Sequence, residues 1–374
     1  MTGDTQDREE KQASEPRTAP SNAMREPSWT FPTLDEDAAA RAARRQASLT
    51  KPAKSLGALE EIPVQLGRLQ GTDLPSVRPA AAIVFAADHS VCQHGVSAYP
   101  STVTAAMVRN FAVGGAAASV AASHLDIPLQ VVDVGVAHPY GDTEGSGAIV
   151  SRHPVAEAIE GDIRAEDAMS WETLANAIDA GRTAVDRLCP DTRVLILGEM
   201  GIGNTTLASA MACALLDATP QLVVGRGTGV DDAQLATKRA VVRDAVERVY
   251  DRSPLGVLRC LGGRELAAIY GAAARACERR MAILVDGFIV STALLALVRQ
   301  HPEAGSHFVF GHRSREPGHV AVLEALGARP LVDLSMALGE GSGALAAFPL
   351  LDLACRLHRD MATFDEAGVP ERDP

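Results

Sequence analysis

Aromatic residues and paired cysteines are scarce in this chain of 374 residues. Phe, Trp and Tyr make up 4% of it, against 47% hydrophobic residues and 32 glycines, so the core must be built mainly from aliphatic side chains around glycine turns. The six cysteines stand singly, without the short paired spacing of zinc sites or the density of secreted disulfide scaffolds. This composition is typical of an α/β protein from a reducing compartment, and we expect it to be cytoplasmic.

A basic cluster and a long apolar run are also missing. The formal net charge is -12, whereas nucleic-acid-binding proteins usually carry a clustered basic patch. No stretch of about 18 uninterrupted apolar residues appears, and the N-terminal segment is charged where a signal peptide is apolar. We therefore expect no nucleic-acid partner and no membrane attachment.

Short apolar runs alternate with longer amphipathic ones from residue 80 onward. The predicted strands are 80–86, 129–135, 193–197, 221–224, 281–285, 307–310 and 330–332. The predicted helices are 102–124, 171–187, 205–216, 231–250, 264–279, 288–299 and 317–326. This alternation predicts an α/β fold, Rossmann-like, with a parallel sheet buried between helices. Ligands of such folds bind beyond the carboxyl ends of the strands.

The two ends of the chain predict a small helical domain beside this sheet. Residues 1–30 contain almost no large apolar groups and predict a disordered tail. Helical periodicity within 31–77 predicts one helix at 37–48 and a second one through Leu56 and Leu69. The large α/β domain then spans 78–335, and 336–374 adds a loop and a helix at 342–360 that returns to the N-terminal helices.

The segment G-E-M-G-I-G-N-T-T, residues 198–206, follows a predicted strand and opens an Ala-rich helix. Its glycines permit a tight turn, and Thr205 or Thr206 is expected to cap the helix. A helix N-terminus presented in this way binds phosphate through aligned dipoles and free N–H groups. The alternative is a tight turn without a ligand, and Glu199 is a candidate functional carboxylate within it.

A second glycine turn, G-R-G-T-G at 225–229, follows the predicted strand 221–224. Asp231 or Asp232 is expected to cap the next helix, with Lys238 about two turns into it. Lys238 is either a positive charge for the same phosphate or an ordinary solvated lysine.

Three common phosphate signatures are absent. Neither turn carries the Gly-Lys-Ser/Thr of a Walker motif, and the first strand leads into A-D-H-S rather than a dinucleotide-binding glycine turn. The acidic pair that marks pyrophosphate-dependent phosphoribosyltransferases is missing too. Because these three signatures are absent, we expect the phosphate ligand to be a nucleotide monophosphate.

Near the C-terminus, L-G-E-G-S-G-A at 338–344 places Glu340 between glycines ahead of a helix. Glycines on both sides let a substrate approach closely, and a partly dehydrated carboxylate gains the proton affinity that a general base needs. The alternative is that Glu340 caps helix 342–360.

Two polar segments follow predicted strands. Asp88, His89 and His94 lack the helical spacing of metal ligands, so we interpret 87–100 as a hydrogen-bonded turn network and expect no metal site. In H-R-S-R-E-P-G-H at 312–319, Ser314 either recognises a carboxylate or caps the helix that begins near Pro317.

Together these motifs resemble the nicotinate-nucleotide:dimethylbenzimidazole phosphoribosyltransferase family. The resemblance covers about residues 50–355, in the family's order. It rests on the turns at 198–206 and 225–229 and on K-P-A-K-S-L-G-A-L-E, H-G-V-S-A-Y-P, M-V-R-N-F-A-V-G-G-A-A, D-G-F-I-V-S-T-A, H-R-S-R-E-P-G-H and L-G-E-G-S-G-A. It departs at Ala53 and Lys54, where the family usually has Pro-Gly.

The resemblance implies an enzyme that moves the phosphoribosyl group of nicotinate mononucleotide to 5,6-dimethylbenzimidazole or a related base. The products are α-ribazole 5'-phosphate and nicotinate, in cobalamin nucleotide-loop assembly. It also implies a homodimer that needs no cofactor. The rival interpretations are a nicotinamide-dependent oxidoreductase and a catalytically silent nucleotide sensor.

The same resemblance implies roles for particular residues. Glu340 is the catalytic base. The nucleotide and its phosphate are bound by Glu199, Gly201, Ile202, Gly203, Asn204, Thr205, Thr206, Gly225, Arg226, Gly227, Lys238 and Ser314. Ser314 lies near the nicotinate carboxylate, and the base pocket is bordered by Ser97, Met200 and Leu338.

Overall fold

Six parallel strands form the sheet of the computed structural model, which describes residues 27–145, 147–153, 155, 161–227 and 229–370. The strands are β1 (Ala80–Ala87), β2 (Leu129–Gly135), β3 (Ile149–Arg152), β4 (Val194–Met200), β5 (Ala282–Val285) and β6 (Phe308–Phe310). Their spatial order is β3-β2-β1-β4-β5-β6, and every neighbouring pair is parallel. This is the strand order of a Rossmann fold, so the predicted class is confirmed.

Alternating side chains of the central strands enter two separate cores. Ile83 and Phe85 of β1 belong to one cluster, while Ala82 and Val84 belong to the other. All eight residues of β1 are buried, which explains why the strand is a continuous apolar run. Truncation of a buried phenylalanine such as Phe85 costs about 3–5 kcal/mol.

Helices cover both faces of the sheet. They are α1 (Glu36–Ser48), α2 (Ala58–Gln70), α3 (Thr102–Ala112), α4 (Ala117–His124), α5 (Trp171–Asp186), α6 (Asn204–Leu216), α7 (Pro220–Val223), α8 (Asp232–Arg248), α9 (Pro254–Leu261), α10 (Arg264–Glu278), α11 (Phe288–Gln300), α12 (Pro317–Ala325), α13 (Ser342–Asp360) and α14 (Phe364–Ala367). Helices α5, α6 and α8 to α12 share the Phe85 cluster. Helices α2, α3, α4 and α13 share the Val84 cluster.

Two predicted strands are wrong. Residues 220–223 form α7, because Pro220 at its first turn has the φ of a helix and Thr219 precedes it. Of 330–332, only Val332 makes a parallel bridge, to His312, since Pro330 has no N–H to donate to a ladder.

The predicted helix 102–124 is two helices, α3 and α4, broken at 113–116 where Gly114 has a φ of 86°. By length and composition this stretch is apolar enough to cross a membrane. In the structure, Val108, Phe111 and Ala118 are fully buried in the Val84 cluster. The apolar composition therefore serves the core.

Strand β3 and helix α9 were not predicted from the sequence. Strand β3 lies at the sheet edge with Ile149 exposed, so its short sequence lacks the apolar signature of the buried strands. Helix α9 does carry a signal, because the Ser253 side chain accepts a hydrogen bond from Gly256 N and Pro254 occupies the first position.

The chain ends meet as predicted. Arg45 of α1 donates to the carbonyl of His358 in α13 at 2.8 Å, and Leu66 of α2 lies in the same cluster as Phe348. Residues 1–26 of the predicted tail lie outside the described residues. Trp29 packs against the Phe85 cluster, so folded structure begins before residue 31. Lys54, one of the two departures from the family motif, has a left-handed φ of 61°.

Candidate active site

The glycine turn at 201–203 lies where the order of the strands reverses. Strands β1 and β4 are neighbours that continue toward opposite edges of the sheet, so a crevice opens beyond their carboxyl ends. Asp88 and His89 follow β1, and Gly201 follows β4. A Cβ at Gly201 would lie 2.7 Å from His89 Nε2, so only glycine fits this position.

The N-cap of α6 is Gly203, with a left-handed φ of 94° and no side-chain capping bond. The prediction that Thr205 or Thr206 caps this helix is therefore wrong. The first turn keeps its N–H groups free of a side-chain cap, which suits an anionic ligand. Thr206 is fully buried, and Gly203 packs against Cys92.

Lys238 reaches the glycine turns from α8. Its Nζ donates to Thr205 Oγ1 at 2.8 Å, and a Cβ at Gly227 would lie 3.0 Å from Thr205 Oγ1 and 3.2 Å from Nζ. Lys238 is 1% exposed, so the interpretation as a solvated lysine is wrong. Burial lowers its pKa to about 8, while the charge of Glu316 acts in the opposite direction.

A capping box sets the register of α8. The Asp231 side chain accepts from Gln234 N at 2.8 Å, and Gln234 Oε1 accepts from Asp231 N at 3.2 Å. The predicted Asp cap is thus confirmed. Because the helix starts at a fixed residue, Lys238 falls on its buried side.

Glu340 lies in a strained loop ahead of α13. Gly339, Glu340 and Gly341 have φ of 87°, 65° and 78°, a left-handed run that is unfavourable for a glutamate. The loop fits closely against β4, because a Cβ at Gly198 would lie 2.5 Å from the Glu340 carbonyl carbon. The N-cap of α13 is Gly341, so Glu340 does not cap this helix.

Asp286, at the end of β5, holds this loop. Its carboxylate accepts from Gly341 N at 3.2 Å and from Ala344 N at 2.9 Å, and its Oδ1 lies 3.5 Å from His312 Nε2. Asp286 is 1% exposed. Burial raises its pKa, and the charge of His312 and the backbone N–H groups oppose the rise.

Glu199 lies close enough to three other buried carboxylates to be influenced by them. Burial raises the pKa of Glu199 well above its ordinary value, and the charges of Asp286, Glu265 and Glu340 add to the effect, against a hydrogen bond from Asn204. Burial also raises the pKa of Glu340, with a contribution from Asp286, while the Ala118 N–H at the start of α4 opposes it. Glu340 Oε2 has no hydrogen-bond partner among the described residues. Such crowding favours at least one shared proton.

Two adjoining cavities open beside these groups. The first, which we name the switch-point cavity, has a volume of 90 Å³. Its lining includes nine predicted site residues, namely Glu199, Met200, Gly201, Ile202, Asn204, Thr205, Gly227, Ser314 and Leu338. The second, of 810 Å³, is lined by Gly225, Arg226, Gly227 and Leu338 of the predicted set, together with Arg239 and Arg315; we name it the arginine cavity.

Five predicted residues lie outside both linings, namely Glu340, Ser97, Thr206, Gly203 and Lys238, of which Lys238 reaches the switch-point cavity through its hydrogen bond to Thr205. Glu340 packs behind Gly339, which does line the switch-point cavity. Ser97 accepts a hydrogen bond from Tyr99 N at 3.2 Å, and its carbonyl accepts from Gln234 at 3.4 Å. Thr206 is enclosed in α6 with its hydroxyl Oγ1 unpaired among the described residues.

Sequence reasoning assigned no role to Asp286, His312 or Glu316. Asp286 and His312 line the switch-point cavity, and Glu316 lines both cavities. A signal was available, because Asp286 directly follows β5 and His312 follows β6 by two residues. Polar groups there reach the ligand edge of a parallel sheet.

The predicted hydrogen-bonded network at 87–100 is confirmed for Asp88 and His94, whereas His89 Nε2 makes no hydrogen bond among the described residues. Asp88 accepts from Ala137 N at 2.9 Å, and His94 Nε2 lies 2.7 Å from Asp162 Oδ2. His89 Nε2 lies 3.1 Å from Glu265 Oε1. Each histidine therefore faces a different carboxylate.

Comparison with known proteins identifies the family of the chain. Residues 31–369 match a family model described as phosphoribosyltransferase, which places the chain in that class of enzymes. The nicotinate-nucleotide–dimethylbenzimidazole phosphoribosyltransferase of Bradyrhizobium sp. strain BTAi1 is 48% identical over 336 residues, 88% of this chain and 93% of the relative. The Pseudomonas aeruginosa PAO1 enzyme of the same name is 47% identical over 335 residues, 89% of this chain and 94% of the relative.

The fold agrees with a solved structure as well. The crystal structure of the corresponding Thermus thermophilus enzyme superimposes with a TM-score of 0.84 at 41% identity, covering 90% of this chain and all of that one. The chain therefore belongs to the nicotinate-nucleotide–dimethylbenzimidazole phosphoribosyltransferase family.

Proposed function

We propose that this protein transfers the phosphoribosyl group of nicotinate mononucleotide to a benzimidazole-type base, with 5,6-dimethylbenzimidazole as the first candidate. The observation that carries the proposal is a cavity lined by both glycine turns and by Glu199 and Asp286, with Lys238 bonded to its wall at Thr205 and Glu340 behind Gly339. Family membership supplies the substrate class. The proposal includes the place of this reaction in cobalamin nucleotide-loop assembly.

The lysine end, which we define as Lys238, Thr205 and Gly227, is proposed to hold the nucleotide phosphate. The Thr205 hydroxyl and Lys238 Nζ are already in contact, and the N-terminus of α6 adds a favourable dipole. Ser314, whose Oγ has no partner among the described residues, is proposed to contact the nicotinate carboxylate.

The carboxylate end, which we define as Glu199, Asp286 and Glu340, is proposed to handle the proton. Glu199 lines the cavity directly, but its pKa is raised by burial and by three neighbouring negative charges, so it favours the protonated form. Glu340 has fewer negative neighbours and receives the Ala118 N–H. Its unpaired Oε2 is therefore the proposed proton acceptor.

In the proposed reaction, a neutral ring nitrogen of the base attacks the anomeric carbon from the face opposite nicotinate. The bond from that carbon to the pyridinium nitrogen breaks, and nicotinate leaves with a neutral ring nitrogen. The second ring nitrogen of the base becomes acidic as the new bond forms, and Glu340 takes its proton. Inversion gives an α-linked ribotide. The bond to be broken is activated by the pyridinium itself, so the chemistry calls for no metal or cofactor.

The base is proposed to bind against Met200 and Leu338, with Ser97 nearby. Leu338 is 56% exposed, and an apolar side chain on a cavity wall suits a flat heterocycle. The 90 Å³ of the switch-point cavity is below the few hundred Å³ usual for small-molecule sites. Two substrates therefore also need space from the adjoining arginine cavity.

The direct test is to incubate the purified protein with nicotinate mononucleotide and a panel of heterocyclic bases. Mass spectrometry should find a ribotide of the preferred base together with free nicotinate, and NMR should show the α configuration. Nucleotide binding without release of nicotinate would indicate a silent sensor instead. A change in absorbance from reduced nicotinamide would favour the oxidoreductase.

We also propose that the protein is a cytoplasmic homodimer with a small domain of 31–77 and 336–374 beside the large domain of 78–335. Large exposed apolar side chains such as Leu334 and Leu353 support a contact surface. Light scattering after size exclusion measures the stoichiometry, and a monomeric mass at micromolar concentration would contradict the dimer.

A further inference from the structure

The arginine cavity carries a positive charge that the proposed chemistry does not use. Its charged lining consists of Arg226, Arg239, Arg315 and Glu316. Arg226 is paired with Asp232. Within the described part of the chain, Arg239 and Arg315 have no ion pair, and Arg239 Nε is buried without a hydrogen-bond partner. Two guanidinium groups are thus available to an anion.

The position of this charge connects it to the lysine end. Arg239 directly follows Lys238 on α8, and both cavities share Gly227, Glu316, Ala337 and Leu338 as lining. Glu316 Oε2 is buried and unpaired among the described residues, and its charge acts on Lys238. Glu316 therefore lies between the two groups of lining residues and keeps the charged form of Lys238 favourable.

The rest of the molecule repels such a ligand. The formal net charge is -12, and a nucleotide monophosphate is itself a dianion near neutral pH. A local cluster of positive charge beside low-dielectric walls raises the concentration of an anion there and speeds its association.

We infer that the arginine cavity is an anion-capture subsite, in which Arg239 and Arg315 draw the phosphate of the incoming nucleotide toward Lys238. This inference rests on the proposed function for the identity of the nucleotide. The ligand chemistry is a phosphate monoester, and the subsite acts on capture and affinity and leaves the chemical step unchanged.

The test compares wild type with the double variant Arg239→Gln, Arg315→Gln at about 20 and about 500 mM NaCl, where charges are weakly and strongly screened. Calorimetry without any base measures nicotinate mononucleotide affinity, and turnover measures kcat and kcat/KM. At low salt we expect affinity and kcat/KM to fall about three- to tenfold with kcat unchanged. At high salt the two proteins should converge.

Two controls separate charge from damage. Arg41→Gln and Arg44→Gln remove the same charge from exposed positions on α1, outside either cavity, and should leave affinity unchanged. Nicotinate riboside lacks the phosphate, so its kcat/KM should be equal in wild type and the double variant.

The inference is overturned if the double variant matches wild type at low salt, or if its defect persists with the riboside. The proposed function fails separately, if wild type binds nicotinate mononucleotide with the predicted salt dependence but makes no ribotide with any base. Absence of nucleotide binding by wild type would remove both.

Discussion

The lysine end and the carboxylate end of the candidate site are built in different ways. Lys238 is placed by a capping box seven residues earlier and by a regular helix, and it touches Thr205 directly. Glu340 is placed by a left-handed loop that depends on Gly198 of β4 and on Asp286, which directly follows β5. The position of Lys238 along its helix is therefore set by residues close in sequence, whereas the position of Glu340 is set by contacts with residues of distant strands.

The two ends also differ in electrostatics. Lys238 is a single buried cation whose charged form is disfavoured by burial, and an incoming phosphate restores it. At the other end, several buried carboxylates compete to be ionised. The lysine end is therefore suited to binding an anion, and the carboxylate end to taking up a proton.

The largest difference between the two ends is expected in the variant Glu340→Gln. Loss of the proton acceptor should lower kcat by about 10² to 10⁴-fold, the usual contribution of a positioned general base, with nucleotide affinity almost unchanged. Glu199→Gln is the matched control, since a mostly protonated carboxyl is well imitated by an amide, and kcat should change by less than about tenfold. The reverse order of the two kcat values would make Glu199 the base.

At the lysine end, Lys238→Ala should raise the KM for nicotinate mononucleotide about 10- to 100-fold, which corresponds to one charged hydrogen bond to phosphate. The KM for the base should change little, because the base binds at the other end. An unchanged nucleotide KM in steady-state assays would tell against the phosphate assignment.

Asp286→Asn tests the support of the glutamate loop. Asparagine offers one acceptor oxygen where Asp286 accepts from two N–H groups, so we expect about 1–3 kcal/mol less free energy of unfolding. Because Glu340 loses its fixed position, kcat should drop about tenfold while the nucleotide KM stays constant. Denaturant unfolding and steady-state kinetics measure both, and an equal rise in KM would indicate general damage.

The pKa of about 8 for Lys238 predicts a pH dependence. The charged form binds phosphate and is lost as pH rises through this value, so nucleotide affinity should weaken above pH 8, by at most about tenfold per pH unit. The phosphate is already a dianion there and contributes no change. In Lys238→Arg, calorimetry should find a flat profile between pH 7 and pH 9, because arginine stays charged.

The smallest effect concerns stability at Glu199. Its folded pKa is raised above the ordinary 4.5, so the folded state binds the proton more tightly than the unfolded state. This favourable contribution is complete below pH about 4.5 and is lost as pH rises toward the folded pKa. Glu199→Gln never ionises, so in denaturant titrations its free energy of unfolding should exceed that of wild type by more at pH 8 than at pH 5.

Much of the fold could be predicted because buried parallel strands and amphipathic helices carry strong periodic signals. Strand β1 and helix α13 lie within a residue of their predicted bounds. The wrong and missing predictions have physical causes. Leu222 and Val223 have the aliphatic side chains of a strand, but they follow a proline that starts a helix. Strand β3 lies at an exposed edge of the sheet and lacks a buried apolar run.

The candidate site was predictable where residue type and turn geometry combine, as at the 198–206 turn and at Lys238. Asp286, His312 and Glu316 were missed because they follow two different strands, and only the pairing of β5 with β6 brings them to one cavity. The buried position of Glu340 behind Gly339 likewise follows from long-range packing.

Residues close together in the chain fix the alternation of elements, the glycine turns beyond β4 and the capping box of α8. Long-range packing brings Lys238 to Thr205, 33 residues away, and Asp286 to Gly341, 55 residues away. Those contacts require the strands to lie side by side in one order, and no local pattern encodes that order.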